Sequence, residues 1–192
     1  MGKGRLEAFS DGVIAIIITI MVLELKVPHG VQLDELRPLA PLLLAYAMSF
    51  VYVAIYWNNH HHMLHAVRRV DGAVMWANMH LLFWLSLVPF VAGWFGEFPR
   101  EAVPVGVYGL VLTMCGVAWM ILQYTLVRVH GRDSEFAKAV GDDRKGKITQ
   151  VILVASLAAA FVSPLVAVGL YVVVAMIWLV PDRRFARLAE HV

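Results

Sequence analysis

The residues of this sequence that could do chemistry all interrupt apolar runs. Arg5-x-x-x-Phe9-Ser10-Asp11 leads straight into Gly12 to Leu23, where Thr19 is the one further hydroxyl among Val, Ile, Ala, Met and Leu. Trp57, Asn58, Asn59, His60, His61, His62 and His65 close a second apolar run, and Asn78 and His80 sit early in a third. A carboxylate at that depth costs at least a few kcal/mol unless it is paired. Such a set of carboxylate, imidazole and amide groups can form a packing network, pass protons, or hold a metal. In the network, Ser10 and Asp11 accept from Trp57 and His60, Asn78 both donates and accepts, and Arg5 neutralises Asp11 or its layer. The proton-passing version uses Asp11 and His60 as the relay. His61 and His65, four apart on a helix, have metal-ligand spacing. With no carboxylate or Cys near them in sequence, no metal is expected. The packing network is the default, because buried polar groups must pair wherever they sit.

These groups need apolar elements to hold them, and the composition supplies those. Of 192 residues, 60% are hydrophobic and 16% charged, and the mean hydropathy is +0.72. That balance describes a polytopic membrane protein rather than a soluble domain. Cys115 is the only cysteine, so no intramolecular disulfide is possible. Lys3 and Arg5 before an apolar run imitate a signal peptide, but Asp11 interrupts the run and no small-residue cleavage site follows. The segment reads as a retained first span.

The expected fold is all-α, one domain over 1–192 with six transmembrane helices at about 5–27, 36–57, 72–95, 104–127, 148–163 and 164–180, judged against about 20 residues per crossing. A charged cytoplasmic loop fills 128–147. Ile148 to Val180 carries no formal charge and as one helix would be about 50 Å long, too long for one crossing. Ser163-Pro164 offers the turn that divides it. With the N-terminus inside, only Lys26, Arg37 and Arg100 of the 16 Lys and Arg fall outside, a strong positive-inside pattern. Five spans would strand Arg183 and Arg184 on the outer side. Both termini are therefore expected in the cytoplasm.

At 100° per residue, Ile20, Leu23, Thr19 and Gly12 all lie within about 60° of Ile16, while Asp11 lies about 140° away. Helix one thus has two faces, a polar anchor turned to its own bundle and an apolar stripe carrying one hydroxyl. The stripe meets lipid, packs ordinarily, or lines a lumen. Val105-Gly106-Val107-Tyr108-Gly109 approaches the Thr-Val-Gly-Tyr-Gly filter of ordinary potassium channels, but lacks the leading Thr and the short helix before it.

Arg5-x-x-x-Phe9-Ser10-Asp11, then an apolar helix with Thr19 and a closing Leu23-Glu24, resembles the signature of the transmembrane protein 175 family. These are potassium channels of lysosomes with shorter bacterial and archaeal relatives. Trp57-x-x-His60 and Asn78 fit the same pattern. The resemblance implies six helices per repeat and, for single-repeat prokaryotic chains, a homotetramer whose first helices line a central pore. It implies that Ile16 forms the narrowest layer, that Ile20 and Leu23 extend it, and that Thr19 supplies a hydroxyl ring. Arg5, Ser10, Asp11, Trp57, His60 and Asn78 become the structural network. Ala15 departs from relatives that carry Ser there, so a second hydroxyl ring is missing.

The expected function is a potassium-permeable cation channel, modestly selective for K⁺ over Na⁺, with a hydrophobic gate on helix one. It would lie in a prokaryotic plasma membrane, and Glu24 would form an outer cation-attracting ring. Its partners are the lipid bilayer, further copies of the chain and monovalent cations, with no nucleic acid. Permeant K⁺ is the only small species implied, with no cofactor. It is not expected to be an enzyme, because no nucleophile–base constellation stands out. The competing class is a proton-coupled secondary transporter using Asp11 and His60, which would show pH-driven uptake without unitary currents.

Overall fold

The computed structural model describes residues 2–179. Its helices are α1 (Lys3–Leu23), α2 (Ala40–His65), α3 (Gly72–Ser86), α4 (Val88–Glu97), α5 (Ala102–His130), α6 (Glu135–Val140), α7 (Arg144–Val162) and α8 (Pro164–Leu179), with a short 3-10 turn at Leu33–Leu36. Counting Gly72–Glu97 as one, five of them are long and apolar enough to cross a membrane, and Pro164–Leu179 is a shorter apolar helix.

Local chemistry sets most of the boundaries. Asp71 caps α3 by accepting from the Val74 amide at 2.9 Å, and Ser134 caps α6 by accepting from the Ala137 amide at 3.1 Å. Pro41 and Pro89 stand in the first turns of α2 and α4, where a missing amide proton costs nothing. Pro89 also explains why the expected third span is divided at Leu87, since it cannot donate back into α3. Gly131 (φ 89°) and Gly141 (φ 50°) end α5 and α6. Ser163 takes an extended conformation (φ −155°), as a residue before proline prefers. The expected break there is present.

Several expected boundaries shift. Span one stops at Leu23 rather than Val27. Span two continues beyond Trp57 to His65 because no breaker intervenes and His60, Met63 and Leu64 remain buried. The 128–147 loop shrinks, since α5 runs to His130, α6 fills part of it and α7 starts at Arg144. Arg183, Arg184 and Arg187, used in the charge count, lie outside the described residues.

The long helix α5 is the hub, packed against α3, α4, α7 and α8, while α1 lies against α2, α3 and α4. Close approach between α4 and α2 depends on Gly96, where an added Cβ would meet the Leu42 Cα at 2.9 Å. Where α1 ends, Lys26 pairs with Glu97 of α4 at 2.5 Å.

Candidate functional site

Along α1 the buried residues are Leu6, Ser10, Ile14, Ile17 and Met21, a helical stripe that faces the core of the chain. The opposite face is uncovered. Ile16 is 58%, Ile20 42% and Leu23 79% exposed, and Gly12, Ala15 and Thr19 are exposed with them. The stripe grouped by helical phase is thus uncovered in this chain, together with Phe9 and Val22. The Thr19 hydroxyl donates to the Ile16 carbonyl at 2.9 Å. Its proton is thus used within α1, and the oxygen lone pairs are left for an outside donor or cation.

Behind that face, the polar residues connect α1 to α2 and α3. Ser10 Oγ donates to the Leu6 carbonyl at 2.8 Å and accepts from Asn78 Nδ2 at 2.9 Å. Asn78 Oδ1 lies 2.7 Å from His60 Nε2. An amide oxygen only accepts, so His60 donates from Nε2. Ser10, His60 and Asn78 are all fully buried. Beside this chain, Trp57 Nε1 donates to Asp11 Oδ1 at 3.0 Å.

The arrangement differs in detail from the sequence expectation. His60 bonds Asn78 rather than Ser10 or Asp11, so Asp11 and His60 end on different partners. His80 instead accepts from Trp84 at 2.9 Å on its own helix. Arg5 is exposed and, among the described residues, forms no ion pair with Asp11.

The sequence reading missed Glu7. Its carboxylate approaches His65 Nε2 at 2.7 Å and His61 Nδ1 at 3.5 Å. The signal was present in the same helical wheel, which puts Glu7 about 180° from Ile16 and hence toward the bundle. Also unforeseen is a second cluster, where Tyr52 of α2 donates to the Tyr171 carbonyl at 2.6 Å and Tyr171 donates to the Val105 carbonyl at 2.9 Å. Tyr108 and Ser49 hydroxyls share a bond of 3.0 Å. The filter-like Val105–Gly109 stretch thus lies inside α5 as packing, with Val105, Tyr108 and Gly109 buried.

Residues 5–89 match the family described as endosomal/lysosomal potassium channel TMEM175. A Chryseobacterium protein named as a potassium channel is 49% identical over 187 residues, covering 97% of each chain. This chain belongs to the TMEM175 family. The family is one of ion channels, not of enzymes. A crystal structure titled as a lysosomal potassium-selective channel TMEM175 homolog from Chamaesiphon minutus superposes with a TM-score of 0.80 at 28% identity, covering 94% of this chain and 97% of that one. The all-helical membrane-channel fold is therefore shared. More distantly, a Gallus gallus protein named endosomal/lysosomal proton channel TMEM175 is 28% identical over 70% of this chain, a match spanning 30% of its own length. The TMEM175 match ends at residue 89 and so contains every member of the Ser10–Asn78–His60 chain and the Asp11–Trp57 pair.

Proposed function

We propose that this chain is one subunit of a homotetrameric, potassium-permeable cation channel in a prokaryotic plasma membrane. It crosses six times, with both termini cytoplasmic and α1 lining the pore. The observation that carries this reading is the division of α1 between a buried, hydrogen-bonded back and an uncovered front of Ile16, Thr19, Ile20 and Leu23. One helix cannot enclose a lumen, so rotational symmetry must supply the other walls. Rings of Ile16, Ile20 and Leu23 form a hydrophobic constriction that gates by dewetting and passes the more easily dehydrated K⁺ ahead of Na⁺. Thr19 contributes a ring of hydroxyl oxygens, and Ala15 adds none, so selectivity is modest. Glu24, exposed at the end of the stripe, concentrates cations at the outer mouth. Ser10, Asp11, Trp57, His60 and Asn78 hold the helix at the inner end, while Arg5, expected in the same network, stands exposed beside it.

Purified protein in planar bilayers under K⁺/Na⁺ gradients tests this. Unitary K⁺-favouring currents are expected, and Ile16→Asn raises conductance and erodes the preference. If Ile16→Asn leaves both unchanged, α1 is not the pore. pH-driven uptake without unitary currents would instead establish the proton-coupled transporter. Vertebrate relatives are named as proton channels, so reversal potentials under a pH gradient belong in the same recordings.

A further inference from the structure

Glu7, His61 and His65 bring one carboxylate and two imidazoles to a single point on the α1–α2 seam. Their ligand-capable atoms all lie within 4.8 Å of one another. Glu7 Oε1 is 2.7 Å from His65 Nε2 and 3.5 Å from His61 Nδ1, and the two imidazole centroids are 4.3 Å apart. His61 and His65 stand one turn apart on α2, so one helix face presents both rings, and α1 supplies the acid. His61 Nδ1 is buried and makes no hydrogen bond among the described residues. A ring nitrogen in that condition, turned toward a carboxylate, has a lone pair or a proton without a proper partner.

We propose that Glu7, His61 and His65 form a binding site for a divalent transition-metal ion. Two imidazoles and one carboxylate at Zn²⁺ bond lengths near 2 Å stand about 3.3 Å apart around a tetrahedral ion. The observed separations bracket that value, so small side-chain rotations close the site. His65 is 47% and His61 38% exposed at the side chain, which leaves a side open for water as fourth ligand. The donor set selects among ions. Two nitrogens and one oxygen suit Zn²⁺, Co²⁺, Ni²⁺ or Cu²⁺, whereas Ca²⁺ and Mg²⁺ need several oxygens that the cluster does not offer. Occupancy ties the start of α1 to the end of α2, beside the Asp11–Trp57 pair. The site does not depend on the channel reading, because binding is measured without current.

The test is titration of the full chain, purified in detergent without a polyhistidine tag, with Zn²⁺ alone. Binding is followed by calorimetry and by the thermal unfolding midpoint. One Zn²⁺ per chain, a midpoint that rises with metal as mass action requires, and at least about tenfold weaker binding in His65→Ala and Glu7→Gln are expected. His29→Ala, beyond the far end of α1, keeps wild-type binding. The proposal is overturned if the wild type binds no Zn²⁺, or if His65→Ala binds as tightly as the wild type. His65 is the most exposed of the three, so that variant decides the matter should Glu7→Gln fail to fold.

Discussion

Among the hydrogen-bonded clusters that tie this bundle, two are built from different chemistry. Where α1 meets α2 and α3, Asn78 bridges Ser10 and His60 through side chains alone, and Trp57 reaches Asp11. Where α2 meets α5 and α8, Tyr52 and Tyr171 hydroxyls end on backbone carbonyls, and Ser49 pairs with Tyr108. A carbonyl is offered by any residue, so the tyrosine cluster asks little of the sequence on its acceptor side. The amide–imidazole chain needs a particular side chain at each link. The clusters also hold different things. The first fixes a helix whose other face is uncovered, and the second joins α5 and α8 to the back of α2. Channel properties should therefore respond to the first cluster, and stability to both.

The largest way to strain that comparison is Asn78→Leu. It leaves the Ser10 hydroxyl and the His60 ring without their shared partner, at a cost of about 3 kcal/mol. The expected result is a lower unfolding midpoint together with altered K⁺/Na⁺ preference in bilayers. Gly109→Ala comes next, because its Cβ would overlap the Tyr171 hydroxyl and overpacking there costs about 2 kcal/mol. Here the midpoint falls while the reversal potential under K⁺/Na⁺ gradients stays at the wild-type value. A selectivity change as large as that of Asn78→Leu would erase the distinction between the clusters. Tyr171→Phe is the smallest, about 1 kcal/mol for one lost bond to the Val105 carbonyl. Denaturant titration should resolve it, with unitary conductance unchanged.

Legibility in the sequence followed the same divide. Asp11, His60 and Asn78 announce themselves because charged and amide groups inside apolar runs demand partners. Tyr52, Tyr108 and Tyr171 do not, since a tyrosine in a membrane helix passes for an interfacial or packing aromatic. Glu7 escaped because a charge in the first turns of a helix is ordinarily solvated. Its pairing with His61 and His65 depends on how α2 crosses α1, which no period in either segment encodes. The division of the third span at Leu87 was written in Pro89, whereas the continuation of α2 to His65 rests on burial of Met63 and Leu64 against the rest of the bundle.

What the chain determined by itself was its class, the apolar stripe of α1 and, in Asp11, His60 and Asn78, some of the residues that had to be paired. Hydropathy and helical period depend only on neighbours a few positions away, so they can be read without coordinates. Which partner each polar group takes was decided by tertiary packing. His60 on Asn78, Asp11 on Trp57, Glu7 between two imidazoles and Tyr171 on Val105 are all contacts between different helices. Their distances follow from how whole helices cross, a property of the bundle that no single segment carries.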